Sequence, residues 1–596
     1  MPAYTAPLRD MRFILHEVLD SAAVSALPGY DHVTPDLIDA VLEQAATLAS
    51  EVVAPINLSG DAEGCHYENG VVRTPKGFKE AYRQFADGGW TSLSCNPEFG
   101  GQGMPHMVGT VFEEMMSGAN LAFGMYPGLS HGAYRALEAH GSAELKAEYL
   151  PHLVDGSWSG TMCLTEPQCG TDLGLIRTRA EPAEDGSYRI TGTKIFISAG
   201  EHDLTENIIH LVLAKLPGAP SGTRGISLFL VPKFLPRDGK PGPRNGVACG
   251  SIEHKMGIRA SATALLNFDD ATGWLVGREH QGLRAMFTMM NAARLAVGLQ
   301  GLGVADASYQ AAAAYAKDRR QGKSLTKGAK SEAAADPIIV HPDVRRMLLE
   351  VRSMTEAGRA LAYWVGAELD AAEHHPDPAK RQEADDLVSL LTPVVKAALT
   401  DLGSEAANSA VQVLGGHGYI HEWGVEQFVR DARITQIYEG TNGIQALDLV
   451  GRKMSQDFGR LLRRFFHPVQ HWLEAQAQDP ALADFAGPTA HVFGRLQQAT
   501  MVIAQRGQAK PEEAAAAATD YLNLFALTAM AFMWCRMAEV SQAKLKAGAN
   551  GDASFYETKL DVGRFFMTRV LPRQSLHYQS IMAGGETLMR MAADAF

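Results

Sequence analysis

Residues 431–442 read DARITQIYEGTN, and this stretch sets a carboxylate, Glu439, between an apolar approach and the flexible Gly440. Burial in such a setting would raise the pKa of Glu439 towards neutrality, which suits a general base. A glutamate that merely caps a helix would give the same local pattern. The stretch therefore decides the fold only together with four motifs that precede it in the chain.

Two of these motifs end predicted helices. Residues 412–419, QVLGGHGY, place three glycines within four positions after a helix, so that backbone amides can approach a phosphate closely. Residues 315–323, YAKDRRQGK, end another helix in a basic cluster, which the helix dipole alone would explain. Neither pattern identifies a ligand by itself.

The other two motifs lie in a β-rich segment. Residues 162–172, MCLTEPQCGTD, join a strand end to a Thr-Glu-Pro piece and a Gly-Thr-Asp turn. Residues 194–200, KIFISAG, form an alternating strand with Phe196 two places before a hydroxyl, a pattern that an ordinary core phenylalanine also gives.

Together, in this order and at these separations, the five motifs resemble the acyl-CoA dehydrogenase family. The resemblance covers about residues 34–451, and its Gln-x-x-Gly-Gly and Tyr-Glu-Gly-Thr pieces are specific to the family. Residues 452–596 and the N-terminal extension resemble a longer subfamily that includes 3-methylmercaptopropionyl-CoA dehydrogenases and bacterial fatty acyl-CoA dehydrogenases.

The resemblance implies that the protein binds FAD, non-covalently. Thr165 would hydrogen-bond the polar edge of the flavin ring, Phe196 stands where the family usually has a tryptophan on that ring, and Thr171 stands where it usually has serine. Arg319 would reach the pyrophosphate. The implied FAD contacts are Met162, Leu164, Thr165, Gly170, Thr171, Phe196, Ile197, Ser198, Arg319, Gln321, Gln412, Gly415, Gly416 and Thr441.

By the same resemblance Glu439 is the catalytic base, which removes the α-proton of an acyl-CoA thioester while the β-hydride passes to the flavin. Some family members carry the base just before Arg294, but here that position is Ala293, which cannot act as one. Arg294 would orient Glu439 or the substrate. The implied substrate contacts are Thr171, Asn291, Arg294 and Gly440.

Hydrophobic periodicity predicts an α+β, mainly α, protein. The predicted parts are an N-terminal extension (1–33), an N-terminal helical domain (34–158), a central antiparallel β-barrel domain (159–279), a C-terminal helical bundle (280–451) and an additional C-terminal helical domain (452–596). The predicted strands are Tyr188–Thr191, Lys194–Ser198, Ile208–Ala214, Ile226–Val231 and Ala264–Phe268.

Four local features complete the predicted organisation. Residues 11–19 form the one amphipathic piece of the extension, and Thr34 caps the first long helix. Residues 325–342 are predicted to form a mobile surface loop, and residues 521–534 a buried helix. The apolar face of the helix that follows Thr34 is predicted at Leu37, Val41, Ala45 and Leu48.

Composition excludes several classes of protein. The net charge of −13 argues against non-specific binding of nucleic acid. No run reaches the ~18–20 uninterrupted apolar residues of a membrane span, and no secretory signal opens the chain. The six cysteines have no metal-ligand spacing, so we expect no metal site and reduced thiols in a cytoplasmic protein.

The implied partners are an acyl-CoA substrate, an electron-transfer flavoprotein and a second copy of the chain, as a homodimer or higher oligomer. Two alternatives remain open at this stage. An acyl-CoA oxidase would pass the electrons to oxygen, and a flavin-binding DNA-associated protein of the same fold would need a basic C-terminal surface, whereas residues 452–596 are mixed in charge. The sequence does not give the acyl chain length.

Overall fold

The computed structural model describes residues 4–326 and 332–596. The chain forms two compact units. We call Met1–Ala46, Pro105–Gly118 and Val297–Phe596 the helical unit, and Thr47–Met104 and Ala119–Ala296 the sheet unit.

The helices account for most of the described chain. In order they are α1 (Leu8–Arg12), α2 (Ser21–Ser25), α3 (Pro35–Thr47), α4 (Asn57–Glu63), α5 (Phe78–Asp87), α6 (His106–His140), α7 (Ala143–Asp155), α8 (Gly282–Asp318), α9 (Pro342–His374), α10 (Pro378–Leu414), α11 (Val425–Thr435), α12 (Asn442–Asp448), α13 (Arg460–Gln476), α14 (Ala483–Ala509), α15 (Pro511–Lys546), α16 (Ala553–Phe565), α17 (Gln574–Ala583) and α18 (Glu586–Met589). The strands are β1 (His66–Glu68), β2 (Val71–Arg73), β3 (Trp158–Cys163), β4 (Arg179–Pro182), β5 (Tyr188–Ser198), β6 (Asn207–Lys215), β7 (Ile226–Pro232), β8 (Phe234–Arg237), β9 (Lys240–Arg244), β10 (Val247–Ile252) and β11 (Thr263–Val276).

The large sheet of the sheet unit has seven strands in the order β10-β11-β5-β4-β6-β3, and β7 joins β11 to β6. The pairings return to their start through β11, β5, β4, β6 and β7, although β4 and β6 share only the pair Arg179 and Lys215. A central β domain is therefore confirmed. Purely antiparallel pairing was wrong, because β3 runs parallel to β6. The long connection between them, which includes β4 and β5, makes a parallel neighbour possible.

The five predicted strands fall within β5, β6, β7 and β11, and two of them fuse into β5. The short strands β4, β8, β9 and β10 were missed, as was the hairpin β1–β2 within the segment that we predicted to be helical. These strands carry no sustained apolar alternation, which is the signal that identified the others.

Strand β6 is buried along nearly its whole length, and mostly apolar, because both faces of the sheet are covered. Alternate side chains point to opposite faces. Ile209, Leu211 and Leu213 therefore enter one core, while Val212 and Ala214 enter another.

Thr34 caps α3 as predicted, with its Oγ1 accepting a hydrogen bond from the backbone N–H of Leu37 at 3.1 Å. The predicted apolar face was right for Ala45 and Leu48, which are buried, and wrong for its first two residues. Ile38 and Leu42 are buried, whereas Leu37 is exposed and Val41 is half-buried. Both sets have helical spacing, so periodicity alone could not choose between them.

The N-terminal segment is embedded in the helical unit rather than extended from it. The ring of Phe13 packs on Phe555, with ring centroids 5.3 Å apart. Met11, Ile14 and Leu15 are fully buried. Contact with the far end of the chain explains this burial, which short-range periodicity could not show.

Asp10 ties this segment to two other helices of the same unit. It accepts hydrogen bonds from Arg359 of α9, at 2.5 Å, and from Lys559 of α16. Arg359 also binds Glu114 and Asp306, at 2.6 and 2.9 Å. Burial would raise the pKa of Asp10, but the two cations hold it below its usual value.

Two helices are long and apolar enough to cross a membrane by length and composition, in the segments Pro378–Tyr419 and Pro511–Lys546. Their apolar windows are 78% and 83% buried, as in core helices. Trp534 of α15 donates to the carbonyl of Ser353 on α9 at 3.1 Å. Burial of the predicted helix 521–534 is therefore confirmed.

The predicted loop 325–342 is only partly described. Its residues 327–331 lie outside the described chain. Ile338–Val340 form one 3₁₀ turn, and helix α9 begins at Pro342, so the last part of the predicted loop is ordered structure. Pro at the first helical position explains where α9 starts.

Candidate active site

A bulge in β5 displays Phe196 at the surface of the sheet unit. The register against β11 shifts between Lys194 and Ile197, which leaves one extra residue on β5. Phe196 occupies this stretch with φ of 58°, and its side chain is 60% exposed. A left-handed backbone costs a bulky residue ~1–2 kcal/mol, and bulges of this kind re-aim side chains near functional sites. The bulge therefore holds the Phe196 side chain outwards in spite of the unfavourable conformational free energy of its backbone.

A buried ion pair fixes the loop beside this bulge. Lys194 donates to Glu166 Oε1 at 2.9 Å and to the carbonyl of Leu164 at 3.0 Å. Glu166 also accepts from Thr178 Oγ1 at 2.6 Å and from Arg177 N at 2.6 Å. Burial would raise the pKa of Glu166, but the Lys194 charge and these hydrogen bonds lower it to about 2. The Glu166 carboxylate therefore stays ionised, while burial lowers the pKa of Lys194 against the opposing charge of Glu166. The pair anchors the predicted flavin-facing loop.

The remaining predicted residues of the sheet unit surround the loop and the bulge. The backbone N–H of Ile195 donates to the carbonyl of Thr165 at 3.0 Å, which joins the two motifs directly. Met162, Thr165 and Ser198 are half-buried, and Gly170 and Thr171 are exposed.

Ile197 and Leu164 face inwards. Both side chains belong to the cores of the sheet unit, and Ile197 is 2% exposed. The side chains of these two residues therefore support the site from the core and are not presented at its surface. On α8, Asn291 is exposed and Arg294 is buried.

In the helical unit, Glu439 lies on a short loop between α11 and α12. Its backbone is left-handed, with φ of 57°, and its side chain is half-buried. Gln445 Nε2 donates to the carbonyl oxygens of both Glu439 and Gly440, at 3.1 Å each. Gly440 also has a positive φ, of 83°. Two successive residues in this conformation define where the carboxylate leaves the backbone.

Helix α10 holds the same loop through Asn442. Lys396 Nζ donates to Asn442 Oδ1 at 2.9 Å, and Asn442 Nδ2 donates to Asp401 at 2.8 Å. Gln436, before the base, donates to the same Asp401 oxygen at 2.6 Å. The loop is therefore fixed on both sides of Glu439. Thr441, which is exposed, precedes the first turn of α12.

The glycine-rich turn after α10 presents open backbone. Gly415 has φ of 60°, and a Cβ added at Gly415 or Gly416 would have no heavy atom within 4 Å. His417 braces the turn: Tyr315 OH lies 2.9 Å from its Nδ1, and the Trp423 ring stacks on it at 4.5 Å. Gln412 is exposed beside the turn.

Arg319 and Gln321 are both exposed at the end of α8. Their backbone is fixed, because Arg319 accepts from Ile338 N at 2.7 Å and Gln321 donates to the carbonyl of Asp336 at 3.0 Å. The side chains are thus free to reach a ligand from an ordered turn.

The predicted residues form two sets, one in each unit. Each set fits part of a flavin nucleotide: the exposed ring of Phe196 offers an apolar face, and the open backbone at Gly415 and Gly416 suits close approach of a polar ligand. Across residues 4–326 and 332–596, no group of three His, Cys, Asp or Glu side chains could hold a metal ion.

Sequence reasoning missed the residues that support the site. Lys194 was quoted in a motif without a role, although a lysine within a strand that alternates with apolar residues is itself a signal for a buried partner. Gln445 and Lys396 gave no comparable signal. Their importance depends on contacts 6 and 46 residues away in the chain.

Comparison with known proteins gives consistent matches along the chain. Family profiles for the acyl-CoA dehydrogenase N-terminal, middle and C-terminal domains match residues 37–157, 161–271 and 280–454. A profile described as acetyl-CoA dehydrogenase C-terminal like matches residues 465–592.

Full-length relatives and a solved structure agree with these profiles. A 3-methylmercaptopropionyl-CoA dehydrogenase of Ruegeria pomeroyi is 44% identical over 98% of this chain and 99% of its own. A broad-specificity linear acyl-CoA dehydrogenase of Mycobacterium tuberculosis is 34% identical over 100% of both chains. The structure of a Bacillus anthracis acyl-CoA dehydrogenase complexed with FAD superposes with a TM-score of 0.75 at 20% identity, covering 94% of this chain and 90% of that one, which shows the shared fold.

Proposed function

The chain belongs to the acyl-CoA dehydrogenase family, and from this premise we propose that it oxidises an acyl-CoA thioester to the trans-2-enoyl-CoA with Glu439 as the base. The observation that carries the proposal is the construction of the Glu439 loop. A half-buried carboxylate is presented by two left-handed residues and fixed by side chains of α10 and α12. Such rigidity suits a proton-transfer group, because its reach must match the position of the proton.

The acid–base step follows from this placement. The α-proton of a thioester is too weakly acidic for a free carboxylate, so the carbonyl oxygen must be stabilised as negative charge develops on it. The backbone N–H of Glu439 is the donor that we assign to this oxygen. Glu439 then takes the α-proton onto a carboxylate oxygen. Exclusion of water by the bound substrate strengthens both interactions.

FAD is the cofactor that we assign, and when bound it supplies the acceptor for the hydride that leaves the β-carbon. Phe196, Thr165 and Ser198 would hold the ring. Arg319 and Gln321 would reach the pyrophosphate, and the turn from Gln412 to Gly416 would hold the adenine half across a homodimer interface. Purified protein should accordingly be yellow, and light scattering should show at least a dimer.

The substrate class follows from the names of the relatives. One is named for 3-methylmercaptopropionyl-CoA and another for linear acyl-CoAs. We propose that this chain acts on thioesters of this range, in the cytoplasm, and passes electrons to an electron-transfer flavoprotein.

The decisive experiment is anaerobic bleaching of the enzyme-bound flavin by acyl-CoAs from C4 to C18 and by 3-methylthiopropionyl-CoA. A dehydrogenase bleaches with at least one of them. It is then reoxidised faster by an electron-transfer flavoprotein than by air, whereas an oxidase is reoxidised by air. No bleaching with any thioester would contradict the proposal.

A further inference from the structure

We propose that Gln445 is a positioning residue for the reaction: its side-chain amide holds Glu439 and Gly440 in the left-handed conformation that presents the carboxylate. The inference rests on the proposed function, in which Glu439 is the base. Gln445 itself makes no contact with the reacting atoms. It acts through the backbone of the base.

The amide reaches the base from a rigid platform. Gln445 lies in the first turns of α12, where its backbone N–H donates to the carbonyl of Thr441 at 3.0 Å. Its side chain is fully buried, at 0% exposure. From there Nε2 donates to the Glu439 and Gly440 carbonyls, at 3.1 Å each. One amide group therefore fixes the direction of two successive peptide planes.

The orientation of this amide is determined by its neighbours. Rotation by half a turn would set Oε1 against two carbonyl oxygens, which offer no proton, so Nε2 must face them. Oε1 is then left buried without a hydrogen-bond partner in the described part of the chain. A side chain needed only to fill space would be apolar at this position, because an unpaired buried oxygen destabilises the fold. The glutamine is thus kept for the two bonds that it donates.

Gly440 and Gln445 require each other. Gly440 has φ of 83°, and a Cβ there would lie 2.7 Å from Gln445 Nε2. The donor therefore occupies the space that any other residue at 440 would need. Glycine at 440 permits the turn, and Gln445 keeps the turn in place.

The consequence is specific to proton transfer. Without the two donated bonds, Glu439 can relax to negative φ, which its own side chain favours, and the carboxylate moves away from the position of the α-proton. A displacement of about 1 Å lowers the rate of such a proton-transfer step by about a hundredfold. Substrate and cofactor contacts outside this loop are unchanged, so kcat should fall by a larger factor than KM rises.

The test compares Gln445→Met, which keeps the volume and removes the donors, with Gln574→Met as a matched control. Gln574 is another buried glutamine, 5% exposed, in the C-terminal region, and its side chain bonds Arg495 and Ser575. Two rates are measured on the FAD-loaded full chain: steady-state turnover, and exchange of the α-protons of a redox-inert 3-thiaacyl-CoA with deuterated water by NMR. Gln445→Met should lower kcat and exchange together, by about tenfold to a hundredfold, and Gln574→Met should change neither.

Gln445→Glu supplies a second variant of the same shape. Its ionised carboxylate cannot donate, but its protonated form can donate one bond. Its turnover relative to the wild type should therefore rise as the pH falls. A purely structural role would give a ratio that is independent of pH.

The outcomes separate this inference from the proposed function. If Glu439→Gln abolishes α-proton exchange while Gln445→Met exchanges within twofold of the wild type, Gln445 is not a positioning residue. If Glu439→Gln itself still exchanges, the proposed base is wrong whatever Gln445 does. If Gln445→Met does not fold, a flat pH ratio for Gln445→Glu overturns the inference and a rising one supports it.

Discussion

Phe196 and Glu439 are two large residues in the same left-handed conformation, but the molecule holds them by different means. Phe196 sits on a strand bulge, beside a loop fixed by the buried ion pair of Lys194 and Glu166. Glu439 sits between helices, where the bonds to its own and the next carbonyl come from a neutral amide, that of Gln445. The surface that would hold the cofactor is supported directly by a charged pair. The carbonyls of the proposed base and of Gly440 are bound by an uncharged amide, and the charged Lys396 and Asp401 act on this loop only through the neutral side chains of Asn442 and Gln436.

The difference has a physical reason. The field of a close charged support would shift the pKa of a group that must gain and lose a proton. An amide orients the backbone without contributing a net charge. A support that never titrates near neutrality, such as Glu166 with its pKa of about 2, suits a surface that must only keep its shape.

The largest expected effect is on the proposed base. Glu439→Gln keeps the shape of the side chain but removes its basicity, so turnover should fall by about three orders of magnitude or more. FAD content and unfolding free energy should stay close to those of the wild type. Stopped-flow bleaching of the flavin measures the step directly. Retention of more than about a tenth of kcat/KM, a cost under ~1.4 kcal/mol, would show that Glu439 is not the base.

Removing the charged support should affect the cofactor and the fold together. Lys194→Met leaves Glu166 buried without its cation, which costs about 3–5 kcal/mol of unfolding free energy. FAD affinity, measured by fluorescence titration, should fall with it, since Leu164 in the predicted flavin-facing loop loses its bond to Lys194. The double variant Lys194→Met, Glu166→Gln should recover part of the loss. Equal stability of the single variant and the wild type would contradict the role of the pair.

The residues of the site differ in how far the sequence alone could identify them. The positions of Glu439, Phe196 and Gly415 were predicted from short motifs, because each motif is local in the chain. Lys194 and Gln445 were not assigned. A buried lysine or glutamine acquires meaning only from its partner, and tertiary packing determines that partner.

The elements of the fold likewise differ in whether the sequence alone predicted them. Apolar strands such as β6 and the buried helix α15 were predicted, since their side chains carry the periodicity of the core. The parallel neighbour β3 and the burial of the N-terminal segment were not. Both depend on partners distant in sequence, to which periodicity is blind.

Acid should weaken the sheet unit before the Glu439 loop. Burial, with the Lys233 charge acting in the same direction, lowers the pKa of His202 and His210 to about 3. These values lie below the unfolded pKa of about 6.5, so the unfolded chain takes up protons first and stability is lost as the pH falls from about 6.5 towards 3. At pH 5.5 the two histidines together should lower the free energy of unfolding by about 3 kcal/mol.

Hydrogen exchange followed by peptide at pH 7.5 and 5.5, corrected for intrinsic rates, can locate this loss. Peptides of β3 and β6 should lose protection, while those of α10 to α12 should not. His210→Gln should reduce the loss by about half. Equal loss in both regions would show that the two buried histidines do not determine where acid weakens the fold.

The smallest expected effect comes from the left-handed backbone conformation of Phe196. Phe196→Gly and Phe196→Ala remove the same exposed ring, but only glycine adopts φ of 58° freely. The glycine variant should therefore be more stable than the alanine variant, by about 1 kcal/mol in chemical denaturation. Both should bind FAD more weakly than the wild type. A less stable glycine variant would mean that Phe196 is not strained.

The ties of Asp10 to Arg359 and Lys559 also constrain how the protein is made. The residues paired as Asp10 and Lys559 are 549 positions apart. At roughly 5–20 residues per second, translation takes about half a minute to two minutes to cover that distance. Throughout this interval Phe13 and its apolar neighbours stay exposed, because Phe555 and the helices that cover them have not yet been synthesised. Nascent chains should therefore depend on a chaperone that binds their N-terminal segment. A chain shortened by an early stop codon should aggregate even when every residue of the catalytic motifs has been translated.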